Sequence, residues 1–241
     1  MAKVSRKKLL KQPDEFLTIS NKILSWSKVN IRRIVLGVSV VVALLAVILG
    51  LRAYNQQHEE SGSIAFGKAF NLYQTALSAP LDSQEVNQAI TALRNVSQEY
   101  ASTAGGMQAR LCWGNLLMKD RDYVQAESVL DQLVDEPKLP KEFAAMAWGA
   151  LGQSLEEQSK WNEAQQAYGR AVSSSGPNNA ALWQLPQARM YRLAGNQELA
   201  IQMYGQVYQG SNNPYLKSSA AQALLEMGQD ISQLVPATSA Y

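Results

Sequence analysis

Cysteine and histidine are almost absent from this chain of 241 residues, which contains one of each, Cys112 and His58. A single cysteine excludes an internal disulfide, and one Cys with one His is too few for a Cys/His zinc site. A Cys–His catalytic pair would require these two residues to meet. The sequence also has no phosphate-binding glycine loop, nucleophile elbow or zinc-protease motif. We therefore predict that the chain is not an enzyme, with no catalytic residues, no metal and no cofactor.

Charged residues are also scarce, at 17% of the chain against about 25% in an average soluble domain. They are unevenly distributed: residues 1–33 contain nine Lys/Arg and two acids, residues 34–51 contain none, and residues 52–241 have a net charge of −5. Because binding to phosphates depends on clustered basic side chains, the acidic C-terminal part argues against nucleic acid as a partner. Membrane phospholipid explains the basic N-terminal segment with fewer assumptions.

One long apolar run is present, the 18 uncharged residues of 34–51 (IVLGVSVVVALLAVILGL). As a helix it would be about 27 Å long, close to the thickness of the hydrocarbon core of a bilayer. The residues at the C-terminal end of the run contain no signal-peptidase cleavage site, which favours an uncleaved anchor. Nine Lys/Arg precede the run and only Arg52 lies in the 15 residues after it, so the positive-inside rule places the N-terminus in the cytoplasm. We predict a single-pass protein that contacts membrane lipid through residues 1–51.

An internal repeat extends through the C-terminal part. Four segments align on one alanine, at Ala89, Ala126, Ala164 and Ala200, with spacings of 37, 38 and 36 residues. The best copy contains Trp148, Leu151, Gly152, Leu155, Trp161, Ala164, Tyr168 and Ala171. This pattern resembles the tetratricopeptide repeat, in which pairs of helices, A and B, stack into a solenoid. Small residues such as Gly152 are expected where the two helices cross, whereas Pro186 predicts a kink or a late start in the last A helix.

The predicted fold class is therefore all-α, a single transmembrane helix followed by a tetratricopeptide-repeat solenoid. Residues 1–33 form a basic cytoplasmic segment, with either a short amphipathic helix on the membrane or a disordered tail. Residues 52–63 form a juxtamembrane linker, in which residues 52–60 are expected to prolong the transmembrane helix and Ser61, Gly62 and Ser63 then offer a hinge. Residues 64–230 contain about four repeats plus a capping helix, and residues 231–241 are a flexible C-terminus.

In a tetratricopeptide stack the A helices line the concave face, which is the expected protein-binding groove. The repeat register places nine residues there: Gln108, Leu111, Asn115, Met118, Gln153, Glu156, Glu157, Arg189 and Arg192. We predict that the groove binds an extended or helical protein segment, with apolar contact from Leu111 and Met118 and with acidic groups meeting Arg189 and Arg192. The alternative is that Leu111 and Met118 belong to the core and that the charges only solvate the face.

The basic segment, the spanning helix and the exported repeats together resemble the YfgM-like family, ancillary subunits of the SecYEG translocon in bacterial inner membranes. The resemblance implies a periplasmic scaffold that associates with the translocon and with membrane-anchored chaperones, and that is able to hold exported chains. Two alternatives stay open. One is a repeat-containing organiser of another inner-membrane or envelope complex, and the other is an enzyme accessory or weak hydrolase.

Overall fold

The computed structural model describes residues 15–177 and 179–233, and all its regular elements in these ranges are helical. The chain forms two compact units, residues 1–57 and residues 58–241. The first part of the predicted basic segment, residues 1–14, and most of the predicted flexible C-terminus, residues 234–241, lie outside the described residues.

The described residues form ten α-helices and a short 3-10 turn. The helices are α1 Glu15–Val29, α2 Ile31–Ser78, α3 Gln84–Glu99, α4 Ala104–Lys119, α5 Tyr123–Val134, α6 Lys141–Glu157, α7 Trp161–Ser174, α8 Ala180–Leu193, α9 Gln197–Gly210 and α10 Pro214–Glu226, and the turn is Ile231–Gln233.

The first unit contains α1 and the first part of α2. Helix α1 exposes the large apolar side chains of Ile19, Ile23, Leu24 and Trp26, and its basic residues include Lys22 and Lys28. Helix α2 contains an 18-residue window with a mean hydropathy of 3.1, none of it buried. Among the described residues, α2 is the one helix that is long and apolar enough to cross a membrane.

The second unit is a stack of helix pairs, as the repeat pattern predicts. Residues 58–78 of α2, together with α4, α6 and α8, are the A helices, and α3, α5, α7 and α9 are the B helices. From α3 to α10 each helix packs against the next, α4 also contacts α6, and α8 contacts α10. The apolar core is accordingly divided into clusters along the stack, as expected of a solenoid in which each repeat contacts its neighbours.

The repeat register is confirmed by burial. The four alanines on which the copies align, Ala89, Ala126, Ala164 and Ala200, are all 0% exposed. Glycines allow the paired helices to approach: a Cβ on Gly152 would lie 2.9 Å from the Tyr168 ring, and one on Gly114 would lie 2.6 Å from Leu130 Cδ2. Small side chains are therefore required where the A and B helices cross.

The expected hinge at Ser61, Gly62 and Ser63 is wrong, because all three residues are helical within α2. Gly62 is buried, and its carbonyl oxygen would lie 2.3 Å from a Cβ on Gly105. The absence of a side chain at Gly62 therefore allows α2 and α4 to approach closely. Residues 52–60, which were expected to prolong the transmembrane helix, are helical within α2.

Pro186 lies inside α8, which begins at Ala180 and continues to Leu193. The helix thus starts six residues before the proline, and the expected late start is wrong. Since proline lacks an N–H group, one backbone hydrogen bond is lost within α8. The segment predicted to cap the stack is helical and forms α10, whose first residue is Pro214 and whose N-cap is Asn213.

Candidate protein-binding site

Four of the nine predicted groove residues line one cavity on the A-helix face. This cavity, of about 400 Å³, is called here the A-helix pocket, and it is lined by Tyr73, Leu77, Asn115, Met118, Lys119, Tyr123, Gln153 and Glu157. Its walls come from three successive A helices, α2, α4 and α6, together with the first residue of α5. The structure therefore joins adjacent repeats in a single concavity.

Two polar side chains, Glu59 and Lys119, hold the α2 wall of this pocket beside α4. Glu59 accepts a hydrogen bond from the Ala104 N–H at 3.0 Å, and so supplements Thr103, the N-cap of α4. At the other end, Lys119 Nζ donates to the carbonyl oxygens of Ala76 at 2.5 Å, Leu77 at 2.9 Å and Ala79 at 2.8 Å. Because Glu59 meets the start of α4, whereas Ala76 and Leu77 later in α2 meet its end, the two A helices run parallel.

The ammonium group of Lys119 thus interacts with the backbone of this chain. The last carbonyls of a helix lack intrahelical donors and carry partial negative charge, so an ammonium group is favourable there. Lys119 satisfies three carbonyl oxygens at the end of α2. Lys119 lines the A-helix pocket, but its ammonium group is bonded to the protein backbone and stabilises the wall of the pocket.

Three other predicted groove residues form an ion-paired cluster farther along the stack. Arg189 donates from Nε to Glu156 Oε1 and from Nη2 to Glu156 Oε2, each at 2.8 Å. Tyr168 donates its hydroxyl to the same carboxylate at 2.9 Å. Arg192 pairs with Glu226 of α10 at 3.2 Å. The arginines expected to meet acidic groups of a ligand are therefore engaged with acidic residues of this chain.

The last two predicted groove residues do not line the A-helix pocket. Leu111 is partly buried and packs against two core clusters, which agrees with the alternative that it belongs to the core. Gln108 is exposed on α4. Met118 packs against the core and also lines the A-helix pocket.

Burial shifts the titration of groups near the site. It raises the pKa of Cys112 to about 11, so the thiol stays protonated at neutral pH. The pKa of Tyr73 is raised by burial and by Cys112, against a hydrogen bond with Asn115. Burial and Glu156 raise the pKa of Tyr168. These groups are neutral at physiological pH, and so they supply packing and hydrogen bonding.

The candidate site thus offers contact surface and hydrogen-bonding groups. Among the described residues, no group of three or more His, Cys, Asp and Glu side chains is arranged to hold a metal ion. The His58 ring lies 5.1 Å from the Tyr100 ring, centroid to centroid, whereas Cys112 packs against the core cluster of the first repeats.

Sequence reasoning missed four pocket residues: Tyr73, Leu77, Lys119 and Tyr123. A signal was present, since Tyr73 and Leu77 have the same four-residue spacing as Gln153 and Glu157, which were predicted. The longer connection after α2 obscured the register of the first A helix. Lys119 had the appearance of an ordinary surface lysine at the end of a helix.

Comparisons with known proteins support the same architecture. The family described as "Tetratricopeptide repeat-like domain" matches residues 25–139. Two solved structures of the nearly identical tetratricopeptide-like repeats of a Podospora anserina protein, described as a kinesin light chain, are similar to this chain at 17% identity. One, a variant, has a TM-score of 0.57 and covers 74% of this chain and 92% of its own. The other has a TM-score of 0.54, with 71% and 90% covered. Comparison with curated protein sequences gives no match. The chain therefore contains tetratricopeptide-like repeats, a fold that serves as a protein-interaction scaffold.

Proposed function

We propose that this protein is a membrane-anchored scaffold of the bacterial inner membrane, which binds a segment of another protein on its A-helix face in the periplasm. The observation that carries the proposal is the A-helix pocket, because three successive repeats contribute to one concavity of about 400 Å³. Pockets of about 300–1,000 Å³ are typical of ligand sites. Its lining of amide, aromatic and aliphatic groups fits a peptide better than it fits a reacting substrate.

The proposed topology places the N-terminus in the cytoplasm and residues 52–241 in the periplasm. It is supported by the apolar window in α2 and by the excess of Lys/Arg before residue 34. Protease added to spheroplasts should digest the repeats and leave an N-terminal tag protected. Protection of both ends would contradict this topology.

The proposed partners are subunits of the SecYEG translocon, membrane-anchored periplasmic chaperones or exported chains. The support is the resemblance of the basic segment, spanning helix and repeats to the YfgM-like family. The competing possibility, an organiser of another envelope complex, would use the same face and differ only in what it captures. The experiment must therefore identify the captured protein.

A photo-crosslinking amino acid at Gln153 tests both the site and the partner. Gln153 is exposed and lines the A-helix pocket, whereas Gln166, on B helix α7, is exposed and does not line it. Irradiation of intact membranes should give crosslinked proteins from position 153 and few from position 166. Translocon or chaperone peptides in the captured band would support the named partners, and peptides of another envelope complex would support the alternative. Equal capture at both positions, or none at either, would refute binding at this face.

A further inference from the structure

The A-helix pocket has a repeating arrangement that indicates the form of its ligand. Its six A-helix positions, apart from Met118, occur as three pairs four residues apart: Tyr73 and Leu77, Asn115 and Lys119, and Gln153 and Glu157. Residues four apart lie on one face of a helix. Each repeat therefore presents one pair to the same concavity, in the order α2, α4, α6, which suits a ligand that extends across the helices.

The pocket contains one basic and one acidic side chain, Lys119 and Glu157, and the two differ in their contacts. Lys119 is directed onto three backbone carbonyls. Among the described residues, the ion pairs within 4.0 Å are Lys160–Glu127, Arg189–Glu156 and Arg192–Glu226, so Glu157 takes part in none of them. Glu157 is exposed, at the end of α6. Within the part of the chain that the structure describes, the carboxylate that the pocket presents is therefore not ion-paired.

The remaining lining groups fit the backbone and an apolar side chain of a peptide. The side-chain amides of Asn115 and Gln153 each contain a donor and an acceptor, as a peptide unit does. Leu77 is 50% exposed although it lines a concavity, so a ligand would remove apolar surface from water there. Met118 adds a flexible side chain that adapts to different apolar partners.

From this arrangement we infer that the A-helix pocket binds an extended protein segment through a lysine or arginine next to an apolar residue. The basic side chain pairs with Glu157, and the apolar side chain packs on Leu77 and Met118. This inference rests on the proposed function, and it reverses the ligand charge expected from the sequence. The arginines for which an acidic ligand was expected are paired within the stack, whereas the carboxylate in the pocket is available.

Binding of two blocked, fluorescein-labelled nonapeptides to the full chain in detergent micelles tests the inference. One has Leu-Lys-Leu at its centre, the other has Leu-Gln-Leu, and both are otherwise built from Ala, Gly and Ser. Fluorescence anisotropy should show the lysine peptide binding about fivefold more tightly, the factor expected for one exposed ion pair. Higher salt should reduce the difference.

The matched variants are Glu157→Gln and Glu163→Gln. Both residues are exposed acids, and Glu163, on α7, does not line the pocket. Glu157→Gln should abolish the preference for the lysine peptide, whereas Glu163→Gln should keep it, with circular dichroism checking that both variants are folded. Equal binding of the two peptides by the parent, no binding of either, or a preference that survives Glu157→Gln would overturn the inference.

The crosslinking experiment separates this inference from the proposed function. Capture of protein from position 153, combined with equal binding of the two peptides, would leave the scaffold function in place and reject the basic ligand. Absence of capture from position 153 would instead reject the protein-binding function of the face.

Discussion

The contact between α2 and α4 should be among the least tolerant of added volume in the repeat domain. A Cβ on Gly105 would lie 2.3 Å from the carbonyl oxygen of Gly62, 2.5 Å from its carbonyl carbon and 2.9 Å from the Ser63 nitrogen. All three atoms are backbone atoms, so no side chain can rotate away. Gly105→Ala can be accommodated only if the two helices separate.

The size of the effect follows from two opposing terms. Exchange of glycine for alanine inside a helix favours the helix by about 1 kcal/mol. Overpacking of a close contact costs about 1–3 kcal/mol, and here the upper part of that range applies because the obstructing atoms are rigid. Helix separation would also weaken the Glu59 and Lys119 hydrogen bonds between α2 and α4. We expect a net loss of about 2 kcal/mol in the free energy of unfolding.

Gly67→Ala is the matched control, since Gly67 is also in the α2 part of the repeat domain but no atom of the described residues outside its own surroundings in α2 lies within 4 Å of its Cβ position. This variant should gain up to about 1 kcal/mol. Urea unfolding of the full chain in detergent, followed by circular dichroism, measures both. If Gly105→Ala were as stable as Gly67→Ala, the close approach of α2 and α4 would be refuted.

Three further predictions concern the core, the helix end and the thiol. Ala164→Glu should lower the free energy of unfolding by at least about 3 kcal/mol, measured by thermal or urea unfolding, because Ala164 is 0% exposed. The control Gln166→Glu, at an exposed position, should stay within about 0.5 kcal/mol of the parent. If Ala164→Glu were as stable as the parent, the repeat register would be contradicted. Lys119→Met should cost about 2 kcal/mol through loss of three hydrogen bonds at the end of α2, whereas exposed Lys138→Met should change little. Cys112 has a folded-state pKa of about 11, above its unfolded value, so its stabilising contribution is full below about pH 8.5 and is lost as the pH rises towards 11. Cys112→Ala should show a smaller decline in stability over that range, and an identical decline would refute the role of the thiol.

The sequence was sufficient to predict the helix pairs because their spacing depends on packing that recurs in every repeat. An alanine or glycine is needed wherever two helices cross, and Ala164 and Gly152 therefore identify the crossing from residue type alone. Amphipathic periodicity supplied the rest of the architecture, including the capping helix α10.

The hinge prediction failed for a physical reason. Glycine in a sequence indicates either backbone freedom or the absence of a side chain, and local context does not distinguish the two. At Gly62 the second property applies, since Gly105 and Thr103 of the next repeat lie against it. Only the three-dimensional arrangement shows which neighbour requires the missing Cβ.

The candidate site was predicted only in part, because its electrostatics depend on contacts between repeats. Arg189 and Glu156 are separated by 33 residues in the chain, yet they form a bidentate ion pair. Lys119 is engaged by carbonyls about 40 residues away. Projection of a repeat register assigns residues to a face, but it does not reveal which charges on that face neutralise one another.

The repeats differ in chemistry where they are free to do so. At the crossing of helices A and B all four aligned positions are alanine and all are 0% exposed, because any larger side chain would separate the helices. At the equivalent groove position the residues are Tyr73, Asn115, Gln153 and Arg189, which differ in size, polarity and charge. Packing places no such restriction on a side chain that faces a cavity. We therefore propose that ligand contact, more than helix packing, determines this variation at pocket positions such as Asn115 and Gln153. Glu157, which is exposed and takes part in none of the ion pairs of the described residues, tests that proposal most directly.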